Sequence, residues 1–139
     1  MNGLEKKIMT MLLDGDDPTL AVLRSQAGAA SVASREFSGA GFFTTFKVPE
    51  TSPRLQGVPR LVIGDVHATL DGLEHDAGFL LFVADGAIEM LECFIVDPAF
   101  PPDPRLLRAY YVRPIKPGGG EVHETPVRDL TWALGRKNL

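Results

Sequence analysis

The sequence lacks the features that mark secreted and membrane-spanning proteins. Its single cysteine, Cys93, has no partner for an internal disulfide, which excludes a disulfide-built secreted scaffold. No apolar stretch approaches about 18 residues without a charge or a turn signal, so no membrane-spanning helix is expected. The N-terminal segment has no long apolar core before a small-residue cleavage site, so no signal peptide is expected. The cytoplasm is therefore the expected location.

Basic residues are too few and too scattered for a nucleic-acid surface. The 139 residues include 14 Lys and Arg against 18 Asp and Glu, which gives a net charge of −4. No run of Lys or Arg stands out, and Arg136-Lys137 is interpreted as a frayed end rather than a patch. Phosphate backbones need a concentrated basic face. We therefore expect neither nucleic acid nor a membrane among the partners.

What the chain does contain is enough apolar material for one globular domain. The hydrophobic fraction is 45%, and the length is that of one ordinary domain, so residues 1–139 are predicted to form a single domain.

The N-terminal 30 residues predict two helices. Residues 4–13 place Leu4, Ile8, Met11 and Leu12 on one apolar stripe, with Glu5 on the wet side. The dipeptide Asp17-Pro18 then predicts the start of a second helix, because Asp is a favoured N-cap and Pro is tolerated at the first helical position. Gly28 is its predicted end.

Strand patterns follow along the rest of the chain. Strands are predicted over residues 32–37, 41–48, 60–70 and 105–115, with a turn at Gly39-Ala40-Gly41 and a proline-rich loop over residues 97–104. Thr125-Pro126 resembles a helix N-cap with proline behind it, so residues 126–134 are predicted to form a short helix that packs through Val127, Leu130 and Leu134.

The clearest pattern is a hairpin around Asp85-Gly86. An Asp-Gly pair between two apolar runs predicts a two-residue type I′ turn. The resulting register places Val83 opposite Ile88, Leu81 opposite Met90, and Phe79 opposite Glu92. Both faces of this hairpin are then apolar, so we expect it to be central and covered on both sides.

These elements together predict an α+β fold, in which two N-terminal helices pack on a mostly antiparallel sheet of five or six strands. Residues 78–96 are expected at the centre of that sheet. The helices can cover one face only, so residues 105–134 or a second subunit must cover the other.

One motif points to metal chemistry. Residues 61–67 read Leu-Val-Ile-Gly-Asp-Val-His, which resembles the first metal-binding signature of the calcineurin-like metallophosphoesterases. The resemblance implies that Asp65 and His67, two residues apart on a strand, point the same way toward a metal. Residue 68 is Ala where that family has Gly, and the family's later metal motifs are absent. We therefore expect no catalytic metal pair here.

Three further candidates are weighed against ordinary structural roles. A mononuclear site of His67, His75 and either Asp65 or Glu74 has the right ligand types, but His75 lies in a glycine-rich acidic turn. Glu92, opposite Phe79, is either a buried carboxylate with a raised pKa, or a strand-end residue that is open to solvent or pairs with an arginine such as Arg108 or Arg113. Cys93 has no basic neighbour and is expected to be a buried, inert thiol.

Two segments resemble a group of small uncharacterised bacterial proteins. They are SREFSGAGFFT (residues 34–44) and GLEHDAGFLLFVADG (residues 72–86). The resemblance implies a bacterial source and a stand-alone small domain, and it brings no activity, ligand or catalytic residue with it.

The functional expectation is a non-catalytic protein-binding or accessory domain, of which an immunity protein would be an example. Its partner is expected to be a second copy or another protein. We assign no catalytic, cofactor-binding or metal residue and expect no cofactor. The alternative is a small metal-dependent hydrolase that uses Asp65 and His67.

Overall fold

The structure is a computed structural model that describes residues 1–136. Two helices come first, α1 (Gly3–Leu12) and α2 (Pro18–Ala29). Seven strands and a short helix follow: β1 (Ser31–Ser38), β2 (Gly41–Lys47), β3 (Arg60–Leu70), β4 (Ala77–Ala84), β5 (Ala87–Phe94), β6 (Leu106–Pro114), β7 (Val122–Glu124) and α3 (Leu130–Ala133). None of the helices within residues 1–136 is long and apolar enough to cross a membrane.

The strands form one antiparallel sheet in the order β1-β2-β5-β4-β3-β6-β7. The predicted α+β class and the central position of residues 78–96 are confirmed, because β4 is the middle strand. The strand count is seven rather than five or six. Strand β7 was not predicted, because its three residues are too few to show an alternating pattern.

Both N-terminal helices begin at side-chain caps. The carboxylate of Asp17 accepts hydrogen bonds from the backbone N–H groups of Thr19 and Leu20, and Pro18 occupies the first helical position, as predicted. Helix α1 begins with a reciprocal capping box between Asn2 and Glu5. Local sequence signals therefore set where these helices begin.

The Asp85-Gly86 turn is confirmed, but the register beyond it is not. Both turn residues have positive φ, 52° and 78°, and Val83 pairs with Ile88. The next pair is Phe82 with Met90, which leaves Glu89 as an extra residue on β5. This β-bulge moves every later residue of β5 to the opposite face.

The predicted pairs of Leu81 with Met90 and of Phe79 with Glu92 are therefore wrong. In the structure Leu81 pairs with Leu91 and Phe79 with Cys93. A hairpin signal fixes the turn, whereas a bulge several residues away from it leaves no mark in an alternating apolar pattern.

The core lies on one side of the sheet, which we call the covered face. Its strand residues are Phe42, Phe46, Ile63, Val66, Phe79, Leu81, Val83, Ile88, Leu91 and Cys93. They form one cluster with Ile8 and Leu12 of α1 and with Leu20 and Leu23 of α2. Leu130 and Leu134, in and just after α3, join the same cluster. All three helices therefore lie on the covered face.

The C-terminal helix is shorter than predicted. The hydroxyl of Thr125 donates to the carbonyl of Val127 and makes a turn, while Asp129 caps the helix by accepting from the N–H of Trp132. Val127, a predicted packing residue, is exposed. Arg136 is not a frayed end, because its guanidinium binds the carboxylate of Asp17. Lys137 lies outside the described residues.

Candidate functional site: the open face of the sheet

The second face of the sheet carries none of the three helices, and we call it the open face. Residues 105–134, expected as a possible cover, do not lie on it: β6 and β7 extend the sheet sideways, and α3 packs on the covered face. The proline-rich loop also approaches the covered face, where Phe100 packs edge-on against Phe42. The expected second cover is therefore not supplied by residues 1–136.

Cross-strand pairing arranges the open face in four rows. The first contains Gly41, Phe94, Gly78, His67 and Tyr110; the second contains Glu36, Phe43, Glu92 and Leu80; the third contains Thr45, Met90, Phe82 and Val62; and the fourth contains Ala87, Ala84 and Arg60. The middle rows are mostly apolar, but Glu92 lies within them on β5, and the other charged residues, Glu36 and Arg60, lie at the ends of their rows.

Two glycines make this face flat. A Cβ on Gly78 would lie 2.1 Å from the Phe94 ring, and one on Gly64 would lie 2.4 Å from Leu80. Phe94 and Leu80 therefore lie across their neighbouring strands instead of standing upright. Phe94 is 38% exposed and Val62 40%, while Phe43, Leu80, Phe82 and Met90 are half-buried. The result is a smooth apolar surface.

A polar cluster borders the apolar rows. The His67 ring lies edge-on, 6.2 Å from the Phe94 ring centre and 6.3 Å from that of Tyr110. The Tyr110 hydroxyl donates to the carboxylate of Asp76, and the guanidinium of Arg108 lies 4.7 Å above the Tyr110 ring. Burial lowers the pKa of His67, although the charges of Asp76 and Asp65 act in the opposite direction. Burial, with the hydrogen bond to Asp76, raises the pKa of Tyr110.

The structure separates Asp65 from His67. Gly64 and Asp65 form a second β-bulge opposite Leu80, and the bulge turns Asp65 toward the helices while His67 lies on the open face. Asp65 is fully buried and accepts hydrogen bonds from Arg128, 2.8 Å from Nε to Oδ2 and 2.9 Å from Nη2 to Oδ1. The carboxylate and the imidazole of the phosphoesterase-like motif thus occupy opposite faces of the sheet.

The ligands of the predicted mononuclear metal site do not come together either. His75 lies in the turn before β4, where its Nδ1 is 3.3 Å from the Asp97 carboxylate. Asp97 also accepts from the backbone N–H groups of Glu74 and His75, and these hydrogen bonds lower its pKa. Within residues 1–136, no group of three or more His, Cys, Asp or Glu side chains is placed to hold a metal ion.

Glu92 and Cys93 lie on opposite faces. Because of the bulge at Glu89, Glu92 is on the open face between Phe43 and Leu80 and is half-buried, rather than opposite Phe79. Cys93 is buried on the covered face. Burial, together with the charge of Glu92, raises the pKa of its thiol to about 12, which disfavours the reactive thiolate.

Sequence reasoning missed the charged cluster at Glu5. This residue was expected on the wet side of α1, but it is fully buried and is bound by Nε and Nη2 of Arg35 at 2.9 and 2.8 Å. Burial by itself raises the Glu5 pKa, but the hydrogen bonds from Arg35, Thr44 and the Asn2 N–H outweigh it and lower the pKa to about 2. The capping-box spacing of Asn2 and Glu5 was the available signal.

The helix side also carries a groove of about 560 Å³ between α1 and α2. Met9 and Leu13 are buried in it, and Arg24 at its rim donates to the carbonyls of Leu13 and Gly15. Its guanidinium is thus already engaged in joining the two helices. The open face remains the stronger candidate for function.

Comparisons with known proteins add no relative to this description. No protein-family model matches the chain, and no curated protein or solved structure is significantly similar to it.

Proposed function

We propose that this protein is a non-catalytic protein-binding domain that acts in the cytoplasm and binds its partner through the open face of the sheet. An accessory role, such as that of an immunity protein, is the kind of function that such a domain serves. The observation that carries the proposal is the flat apolar surface over β2, β5, β4 and β3, on which no helix of residues 1–136 packs.

The physical argument rests on what an uncovered apolar sheet face gains by packing. Two sheets pack face to face about 10 Å apart and bury the side chains between them. The open face presents phenylalanine, leucine, methionine and valine side chains in the middle rows, as one half of such a core would. Burial of this surface yields roughly 25 cal/mol per Å², which favours association once its entropic costs are met.

The polar groups favour binding over hydrolysis. Asp65, one of the two residues of the hydrolase alternative, is neutralised by Arg128 and lies away from His67. On the open face the Tyr110 hydroxyl is bound to Asp76, and its raised pKa opposes ionisation. A nucleophile is activated by an adjacent general base, by a lowered pKa or by a metal. Of these, Tyr110 has only the Asp76 carboxylate as an adjacent base, and its pKa is raised rather than lowered.

Photocrosslinking in the source organism tests the proposal. A photoreactive phenylalanine analogue is placed at Phe82 on the open face and, as a matched control, at Phe37. The control side chain is also phenylalanine and is 68% exposed, but its cross-strand partner is Phe42 of the covered face. We expect protein adducts at residue 82 and not at residue 37. No adduct at residue 82, or equal yields at both positions, would contradict the proposal.

A further inference from the structure

We infer that the partner on the open face is a second copy of this chain, packed face to face around Phe82, with Glu92 of each copy against Arg60 of the other. This inference rests on the proposed function and names the occupant of the same surface.

The positions of three residues carry the inference. Phe82 lies on β4, the middle strand of the sheet. Glu92 lies on the neighbouring strand β5, one row from Phe82, because it pairs with Leu80. Arg60 lies on the other neighbouring strand, β3, one row from Phe82 in the opposite direction, because it pairs with Ala84. From the spacings of a β-sheet, each lies about 8 Å from Phe82. Phe82 is therefore the midpoint between an acid and a base.

A two-fold axis through this midpoint exchanges the two charges. In an isologous dimer, residue i contacts residue j of the partner, and j contacts i in return. This axis lies in the plane of the interface, perpendicular to the line from Glu92 to Arg60. It places Phe82 of one copy against Phe82 of the other. It also places Glu92 of each copy against Arg60 of the other, so the contact forms twice. The strands of the two sheets then cross steeply, in the orthogonal class of sheet packing.

Neither charge is engaged by another side chain within residues 1–136 of the same copy. Six arginines form ion pairs with carboxylates, and Arg24 and Arg54 donate to backbone carbonyls. Arg60 is the one arginine of residues 1–136 with neither kind of contact. Glu92 likewise has no ion pair in this part of the chain, although it is half-buried between apolar neighbours. A second copy supplies a partner for both.

The available area fits a reversible dimer. Four strands by four rows span a footprint of about 500 Å² per copy from the spacings of a β-sheet. Two such faces bury about 1,000 Å², the size of a weak, reversible interface. The two ion pairs then fix the orientation more than they add affinity.

The exposed edge strand β1 offers a different dimer. This strand is eight residues long, whereas the strand at the other edge, β7, has only three. Pairing between two β1 strands would continue the sheet without involving Phe82, Glu92 or Arg60. The experiment must therefore distinguish the face from the edge.

Light scattering and sedimentation equilibrium on the purified full chain, between about 1 and 200 µM, test the inference. The wild-type mass is expected to rise with concentration from 15.1 kDa toward twice that value. Phe82→Glu is expected to abolish the rise. Glu92→Arg and Arg60→Glu alone are each expected to weaken dimerisation at least about tenfold, because like charges then meet across the interface. The combined charge swap is expected to restore the dimer.

Glu36→Arg is the matched control for charge. Glu36 stands in the same row as Glu92, but on β1, outside the footprint, so its reversal is expected to leave dimerisation unchanged. Urea denaturation of each variant verifies that the fold is retained. A variant that does not fold is replaced by Phe82→Ser or by neutral substitutions at Glu92 and Arg60.

Three results would overturn the inference. A constant mass of 15.1 kDa removes the second copy, yet adducts of a different protein at residue 82 would still support the proposed function. A dimer that survives Phe82→Glu points to the β1 edge instead. A dimer that Phe82→Glu breaks but the charge swap does not restore refutes the arrangement of Glu92 against Arg60.

Discussion

The two faces of the sheet differ in whether their polar groups have hydrogen-bond or ion-pair partners. On the covered face, the buried carboxylates of Glu5 and Asp65 are each held by an arginine, and the buried amide of Gln26 bonds to the backbone at Pro53, Gly86 and Ile88. No buried side-chain nitrogen or oxygen within residues 1–136 lacks a hydrogen bond. On the open face, Glu92 and Arg60 have no ion-pair partner within residues 1–136. The buried polar groups of the covered face thus find their partners in the described part of the chain, and these two charges of the open face do not.

The largest effect is expected where a buried charge on the covered face loses its partner. Arg128→Met leaves the carboxylate of Asp65 buried and unpaired, and it also removes donors to the carbonyls of Leu12 and Asp14. We expect a loss of about 3–5 kcal/mol in the free energy of unfolding, measured in urea.

Arg108→Met is the control for that measurement. Its ion pair with Glu124 is half exposed, and exposed pairs contribute at most about 1 kcal/mol. Similar losses for the two variants would mean that Asp65 is not buried as described.

Adjacent residues of β3 compare the two faces directly. Ile63 is fully buried on the covered face, and Val62 is 40% exposed on the open face. Ile63→Ala is expected to lower the free energy of unfolding by about 3 kcal/mol, because it leaves a cavity in the core. Val62→Ala is expected to cost less than about 1 kcal/mol in the monomer. Equal costs under dilute conditions would show that the open face is already covered within one chain.

The hairpin turn provides the third test. Gly86 has a φ of 78°, and a Cβ there would lie 2.5 Å from the carbonyl oxygen of Leu55. Gly86→Val is therefore expected to cost about 3 kcal/mol, the upper end of the range for backbone strain. Gly118→Val is the matched control: its φ is 74°, but no atom lies near its Cβ position. Equal losses in the free energy of unfolding would show that the positive φ alone causes the loss, without a contribution from the contact with Leu55.

The smallest effect concerns pH. The folded pKa of Glu5 is about 2, below its ordinary value of 4.5, so the ionised group stabilises the fold above about pH 5. This contribution is lost as the pH falls toward 2. Glu5→Gln is expected to cost about 2 kcal/mol at pH 7, after allowance for the partly exposed Arg35, and almost nothing near pH 2. Unfolding curves at several pH values measure the difference, and a cost independent of pH would contradict it.

Short-range features of the fold were predictable from the sequence. The bounds of β3, the Asp17 cap and the Asp85-Gly86 turn all follow from residues close together in the chain. The apolar side chains on both faces of β4 and β5 also predicted the central position of the hairpin, which the strand order confirms. The candidate sites were harder to predict from the sequence. The interpretation of Asp65 and His67 as neighbouring ligands required an unbroken strand, and the bulge at Gly64-Asp65 interrupts that strand.

By itself, the sequence determined the class of the fold, its central hairpin and the surplus of apolar surface, because these depend on periodicity and on the conformations that Gly, Pro and Asp favour. Only the tertiary structure decided which residues share a face. A bulge of one residue reverses every side chain beyond it, as Glu89 does for Glu92. The partners of the buried charges are also remote, since Arg35 lies 30 residues from Glu5 and Arg128 lies 63 residues from Asp65. Burial and geometry select pairings between such distant residues as the chain folds.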